Sequence, residues 1–129
     1  MNSAYHIDNF DQLVLHSFKS SIEKFNLKLV DKTDEFGSEL LLVGDKCQLR
    51  FTYDRGDLRC TIINPINNRR YLSNLIYKFL SGHNNEIVVS INDPIPVQIE
   101  KYARMFTLRL SHILQGDFSW GESYDFTYP

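Results

Sequence analysis

The chain contains no long apolar run, and we expect no signal peptide at its start. Its apolar residues follow one another only a few at a time, whereas a helix that crosses a bilayer needs about 20. The opening Met-Asn-Ser-Ala-Tyr-His-Ile-Asp has neither a cationic region nor an apolar stretch, so it does not match a signal peptide. We therefore expect a cytoplasmic protein that does not bind a membrane.

The short motifs that mark catalytic, phosphate-binding and metal sites are also missing. The 6 glycines are dispersed and form neither a G-x-G-x-x-G loop nor a Walker motif. No G-x-S-x-G nucleophile elbow occurs. The histidines lack the spacing of metal ligands and stand apart from one another, at His6, His16, His83 and His112. The sequence therefore predicts no enzymatic activity, no cofactor and no bound metal.

Charge of one sign is not in large excess. The 14 Lys and Arg residues nearly balance the 16 Asp and Glu residues, and the formal net charge is −2. A domain that binds nucleic acid directly usually presents a basic surface to the phosphates. We therefore predict no direct binding of nucleic acid.

Hydrophobic periodicity predicts three helices and a sheet within a single domain of 129 residues. The helices are predicted at about 10–25 after Asp8 or Asn9, from Asn67 or Asn68 to Leu80, and from Asp93-Pro94 to about Gln115. In the third helix, Asp93 is the expected N-cap and Pro94 the first helical residue. The strands are predicted at 27–29, 39–43, 47–53 and 58–63, with a possible fifth at 86–91. The expected fold is α+β, an antiparallel four- to five-stranded sheet with three helices packed mainly on one face.

The strongest local pattern is a hairpin from Cys47 to Ile63. Pairing across Arg55-Gly56 places apolar residues opposite one another, in the pairs Tyr53–Leu58, Phe51–Cys60 and Leu49–Ile62. The other face then carries Arg50, Thr52, Arg59 and Thr61. A slip of one residue would put arginine beneath the sheet, so the register is well specified.

This register also predicts the state of the two cysteines. Cys47 lies four residues from Phe51, the partner of Cys60, and this separation corresponds to about 13 Å along a strand. A disulfide requires Cα atoms within about 7 Å of each other. We therefore predict that Cys47 and Cys60 are free thiols.

The C-terminal segment 116–129 concentrates acidic and aromatic residues and contains no base. It carries Asp117, Glu122 and Asp125 among Phe118, Trp120, Tyr124, Phe126 and Tyr128. Such a segment can pack back onto its own domain, or it can offer aromatic anchors and charge to a basic protein partner. We expect the first half, 118–120, to pack back and the second half, 122–128, to meet the partner.

Two further charged groups belong to the hairpin. Asp54 and Asp57 flank the turn, where aspartate beside glycine is common, and they are a second candidate contact for the partner rather than an acid–base pair. Arginines at 50, 59, 69 and 70 could form a modest basic patch. These arginines are either solvated side chains on the outer face of the sheet or contacts to an acidic partner.

Two parts of the chain resemble small immunity proteins, which neutralise bacterial polymorphic or contact-dependent growth-inhibition toxins. They are the junction His112-Ile-Leu-Gln-Gly-Asp-Phe-Ser-Trp120 and the hairpin from Leu49 to Ile62. The resemblance covers under a third of the chain and transfers no functional residue. It implies a cytoplasmic inhibitor that binds one toxin domain, often a nuclease, and blocks its active site or substrate surface.

The element order also resembles the small acidic chaperones of type III secretion, which are α/β dimers that hold an effector segment. A chaperone of this class should present apolar grooves, whereas the outer face of the hairpin is polar. We therefore expect an immunity protein rather than a chaperone, and we expect it to be a monomer that binds its toxin one to one. The predicted partner-binding residues are Asp117, Trp120, Glu122, Tyr124, Asp125, Asp54 and Asp57.

Overall fold

A computed structural model describes residues 9–33, 38–54, 56–82 and 86–122. Its centre is a five-stranded antiparallel sheet whose strands lie side by side in chain order. The strands are β1 (Lys28–Thr33), β2 (Ser38–Val43), β3 (Gln48–Asp54), β4 (Asp57–Ile63) and β5 (Arg70–Leu72). Together with helices on one face, this sheet confirms the predicted α+β fold.

The predicted register of the β3–β4 hairpin is confirmed. Tyr53 pairs with Leu58, Phe51 with Cys60 and Leu49 with Ile62. Except for half-buried Tyr53, these residues are buried beneath the helices. Alternation decides this outcome, because every second side chain of a strand points to the same face.

The outer face of β4 departs from the prediction in one respect. Thr61 pairs with Arg50 as expected, yet Thr61 is only 4% exposed and its outer-face neighbour Ile63 only 3%. Arg59, on the same face, remains exposed. The polar outer face is therefore solvated near the hairpin turn and buried toward the end of β4.

The helical regions are present but are more segmented than the periodicity predicts. They comprise α1 (Phe10–Ser17), α2 (Lys19–Phe25), α3 (Ser73–Ser81), α4 (Ile95–Met105) and α5 (Ser111–Leu114). Helices α1 and α2 meet at Phe18, whose side chain is 1% exposed and lies edge-on to Phe51 at 4.9 Å between ring centroids. The break lets one aromatic ring enter the core between two short helices.

The fifth strand lies in a different place from the one predicted. Residues 70–72, expected inside the second helix, pair with Thr61–Ile63 as β5, and α3 begins only at Ser73. The β-rich segment 86–90 has no regular secondary structure, although Ile87 is buried. Pairing with β4 overrides the local helical pattern, because strand propensity depends on tertiary context.

A π-helix at Phe106–Leu110, the π segment, joins α4 to α5. Buried residues recur at intervals of four, at Tyr102, Phe106, Leu110 and Leu114. On a regular α-helix each such interval drifts by about 40° around the axis, since a residue advances about 100°. The wider π turn takes up this drift, so all four side chains stay directed at the core.

Both cysteines are free and buried, as the hairpin register predicts. Burial raises the pKa of Cys47 to about 12. Burial also raises the pKa of the Cys60 thiol, with the Ser73 hydroxyl acting weakly in the opposite direction. Both thiols are therefore protonated at neutral pH and serve as small apolar core residues.

Within the described ranges, no helix is both long enough and apolar enough to cross a membrane.

Candidate functional site

A cleft opens beside the β3–β4 hairpin, where the first half of β4 extends past the short strand β5. Its volume is about 270 Å³. Its walls come from the start of β4, the junction of β5 and α3, the segment 89–91, and α4. The lining residues are Asp57, Leu58, Arg59, Leu72, Asn74, Val89, Ile91, Gln98 and Tyr102.

Gln98 holds the hairpin turn against α4. Its side chain is 1% exposed, and its Nε2 donates to the carbonyl oxygens of Gly56 at 3.1 Å and Asp93 at 2.9 Å. Its Oε1 accepts from the backbone N–H of Leu58 at 3.3 Å. A buried amide satisfied in this way is directional, so it fixes the position of the turn relative to the helix.

Tyr102, one helical turn along α4, adds a second hydrogen-bonding side chain, and together with Gln98 it forms the polar clamp. Its hydroxyl donates to the carbonyl oxygen of Leu58 at 2.8 Å. Burial raises the pKa of the Tyr102 phenol, so the hydroxyl remains a donor at neutral pH. Gln98 and Tyr102 thus occupy the backbone groups of Leu58 in place of a neighbouring strand, which protects this part of the sheet edge from pairing with another chain.

A second contact fastens the opposite wall of the cleft to α4. Lys101 Nζ donates to Asp93 Oδ2 at 2.7 Å and to the carbonyl oxygen of Val88 at 2.8 Å. Asp93 Oδ2 also accepts from the backbone N–H of Ser90 at 3.2 Å. The hydrogen bonds from Lys101 and Ser90 lower the pKa of Asp93. The segment 88–93 is therefore held in place without belonging to the sheet.

The role of Asp93 differs from the one predicted. The sequence places it as the N-cap of the third helix, but α4 begins at Ile95 and no side chain caps it. The carbonyl oxygen of Pro94 accepts the backbone N–H groups of Val97 and Gln98 instead. The Asp93 carboxylate is consequently free to pair with Lys101.

The mouth of the cleft is charged. Arg59 Nε donates to Asp57 Oδ2 at 3.0 Å, and both side chains are more than two-fifths exposed. Asp54 is exposed and lies opposite Asp57 in the strand register. Arg55 lies outside the described residues. The structure thus brings both predicted hairpin acids to the tip of β3–β4, and Asp57 forms part of the cleft.

Asp117 and Trp120, two of the predicted contacts in the C-terminal segment, do not line this cleft. Asp117 Oδ1 accepts from the backbone N–H of Ser119 at 3.1 Å and from its hydroxyl at 2.6 Å. These bonds, the hydroxyl first, lower the pKa of Asp117. The carboxylate therefore stabilises the start of a 3₁₀ turn at Ser119–Glu122.

Trp120 lies within this 3₁₀ turn and packs inward. It is 8% exposed and lies edge-on to Tyr71 of β5 at 4.8 Å between ring centroids. Its Nε1 donates to the carbonyl oxygen of Asp117 at 2.8 Å. The expectation that 118–120 pack back is confirmed, and contact of Trp120 with a partner stays a prediction.

Of the remaining predicted contacts, the structure describes only the backbone of Glu122. Glu122 ends the 3₁₀ turn, and Tyr124 and Asp125 lie outside the described residues. Of the four arginines considered as a basic patch, Arg59 is paired with Asp57, and Arg50 Nε lies 3.5 Å from Glu39 Oε1. Two of the patch's charges are thus partly offset by neighbouring acids.

The cleft is lined by charged, amide and aliphatic side chains and by the phenol of Tyr102. Neither cysteine lines it, and its phenol is held protonated by burial. No group of three or more His, Cys, Asp or Glu residues in the described ranges is arranged to hold a metal ion. What the cleft offers is a charged mouth, amide groups and an aliphatic wall.

Sequence reasoning missed Gln98, although the sequence contains a signal for it. Gln98 lies three residues after Ile95 and four before Tyr102, so it falls on the apolar stripe of the helix. A polar residue on such a stripe is buried and needs hydrogen-bond partners. The sequence does not show that those partners are Gly56 and Leu58.

Comparison of the chain with family models, curated proteins and solved structures found no match.

Proposed function

We propose that this protein is a non-catalytic immunity protein, which binds and neutralises a cognate bacterial toxin domain, and that the cleft beside the hairpin contacts the toxin. The observation that supports the proposal most directly is the clamped cleft itself. Gln98, Tyr102 and Lys101 hold its walls before any partner arrives. A surface ordered in advance loses less conformational entropy on binding.

The surface around the cleft favours a basic partner, because the charged lining residues Asp57 and Arg59 offset each other and the excess of acids lies in the flanking residues. The chain segments 54–59 and 86–102, which build most of the cleft, contain five acids (Asp54, Asp57, Glu86, Asp93 and Glu100) and three bases (Arg55, Arg59 and Lys101). Nuclease toxins present basic surfaces because their substrate is a polyanion. Complementary charge would speed the encounter and favour this orientation of the complex.

Aliphatic exposure supplies the apolar part of the proposed interface. Ile91 lines the cleft and is 69% exposed, and nearby Val88 is 60% exposed. Protein interfaces commonly combine an apolar centre with a polar rim. Ile91 beside the Asp57–Arg59 pair has this composition.

Co-expression with the neighbouring reading frame tests the function. We expect rescue of growth from its toxicity and a one-to-one complex with a monomer of this protein. Absence of both rescue and binding would reject the immunity role, and a dimer that holds an extended segment would favour the chaperone class.

Two matched variants test the location of the interface. Ile91→Lys should weaken the complex by about tenfold or more, because it introduces at the apolar centre a charge of the same sign as the basic partner. Leu108→Lys alters an aliphatic residue that is 55% exposed on the π segment, outside the cleft, and should change affinity little. The reverse result would place the interface elsewhere on the molecule.

A further inference from the structure

A second cavity lies among the helices, between α2 and the π segment. Its volume is about 140 Å³, and it shares no lining residue with the cleft beside the hairpin. A single water molecule needs only about 10–15 Å³ of such space. The cavity therefore has room for a small polyatomic ligand.

Hydroxyl groups dominate the lining of this cavity. Four of its seven lining residues are serine or threonine, at Ser20, Ser21, Thr107 and Ser111. A hydroxyl can donate to a ligand oxygen and rotate to suit it. Ser21 is only 4% exposed, whereas Ser20, Thr107 and Lys24 are exposed, so a ligand here would be shielded from water on one side.

Among the described residues, the one charged side chain that lines the cavity is a base. Lys24 lies on α2 with its Nζ 5.4 Å from the centroid of the neighbouring Phe25 ring, and that ring also lines the cavity. Glu23 precedes Lys24 in the chain but is not part of the lining. Since no carboxylate lines the cavity within the described part of the chain, these walls do not repel a negatively charged ligand.

The π segment places two of these hydroxyl residues beside α2. Thr107 and Ser111 lie four residues apart and line the same cavity, while Phe106 and Leu110 are buried. The Thr107 hydroxyl donates to the carbonyl oxygen of Arg104 at 3.1 Å, so it must rotate before it can donate to a ligand. Single π turns within helices occur frequently at functional sites.

We propose that this cavity binds the tetrahedral oxyanion of a phosphate group, either as inorganic phosphate or as a small phosphate monoester. The Lys24 ammonium supplies the positive charge, and the hydroxyls of Ser20, Ser21 and Ser111 donate to the phosphate oxygens. The half-buried ring of Phe25 provides an apolar wall for the organic part of a monoester. This site is independent of toxin binding.

Titration of the isotope-labelled protein with inorganic phosphate, followed by NMR, tests the site. We expect saturable shifts concentrated at the amides of Ser20, Ser21, Thr107 and Ser111. Lys24→Gln should weaken binding by about tenfold, because one charge-assisted hydrogen bond is lost. Ser111→Ala should also weaken it. Lys78→Gln, which alters an exposed lysine of α3, is the matched control and should leave affinity unchanged.

Shifts that fail to saturate, or that spread over lysines across the surface, would overturn the proposal. An unchanged affinity in a folded Lys24→Gln protein would overturn it as well. A parallel titration with phenyl phosphate separates the two sources of the phosphate group. Tighter binding of phenyl phosphate would assign the cavity to a monoester, and equal binding would assign it to the phosphate ion.

Discussion

The two acidic turns of this protein are held by different forces. The hairpin tip at 54–57 is fixed by hydrogen bonds from α4, chiefly those of Gln98 to Gly56 and Leu58. The C-terminal turn at 116–122 has local hydrogen bonds of its own, but it is attached to the sheet by aromatic packing, with Trp120 edge-on to Tyr71 and Phe118 beside both rings. The hairpin tip is thus attached to the rest of the fold by hydrogen bonds, and the C-terminal turn by packed rings.

This difference matters for recognition. Directional hydrogen bonds fix backbone position, because a small rotation breaks them, whereas packed rings tolerate several arrangements of similar energy. The hairpin tip is therefore the better candidate for an interface that is ordered before the partner binds. The C-terminal turn covers the inner side of β5 and contributes mainly to stability.

The largest expected effect comes from removing the ring that holds the C-terminal turn. Trp120→Ala should lower the free energy of unfolding by about 3 kcal/mol, because a large buried side chain is lost and a cavity remains. Urea denaturation measures the change. Phe118→Ala, at a half-buried position, is the control and should cost clearly less. Equal, small losses in both variants would show that aromatic packing does not hold this turn.

The next largest effect comes from removing the polar clamp. Gln98→Ala should lower the free energy of unfolding by about 2 kcal/mol, because three backbone groups lose their partner. Hydrogen exchange should also accelerate at the Leu58 amide. Val97→Ala, at the neighbouring exposed position, should change stability by less than about 0.5 kcal/mol. If Gln98→Ala behaves like this control, the clamp does not order the hairpin tip.

A smaller effect isolates a single bond of the clamp. Tyr102→Phe keeps the ring but leaves the carbonyl oxygen of Leu58 without its donor, and should cost about 1 kcal/mol. Thermal and urea unfolding of this variant can be compared with those of Tyr53→Phe, at a half-buried position of β3. A larger loss in Tyr53→Phe would contradict the assigned importance of the bond to Leu58.

The smallest effect is dependent on pH. Because the pKa of Asp117 is lowered in the folded protein, its carboxylate stabilises the fold fully above the ordinary carboxyl pKa of about 3.9. That stabilisation is lost as the pH falls through the lower folded value. Asp117→Ala should therefore be slightly less stable than the unaltered protein at pH 7, and the two melting temperatures should converge in strong acid. A constant difference across this range would mean that the charge of Asp117 plays no part.

The limits of sequence reasoning are visible along the chain. Helix ends at Asn26 and Gly82 could be predicted, because both residues adopt the positive φ that ends many helices. The strand at 70–72 could not be predicted, since its partner β4 lies outside the local window. The π segment is reflected in the four-residue spacing of the buried residues from Tyr102 to Leu114. The same spacing is equally compatible with a regular α-helix whose buried face rotates gradually around its axis.

For the candidate site, the sequence predicted the two aspartates of the hairpin turn but not the cleft beside them. Asp54 and Asp57 were found because a turn between alternating strands requires polar residues. The cleft they border depends on Gln98 and Tyr102, which lie 40 and 44 residues from their common partner Leu58. No spacing rule reaches over such a distance.

The sequence by itself determined the α+β class and the register of the β3–β4 hairpin, because side chains alternate with a period of two and a slip would bury arginine. The tertiary structure alone decided that α4 would close the free edge of β4 with two polar side chains, and that Trp120 would meet Tyr71. The physical reason is that buried polar groups and rings must find partners. Which partners they find is settled only when distant segments pack together.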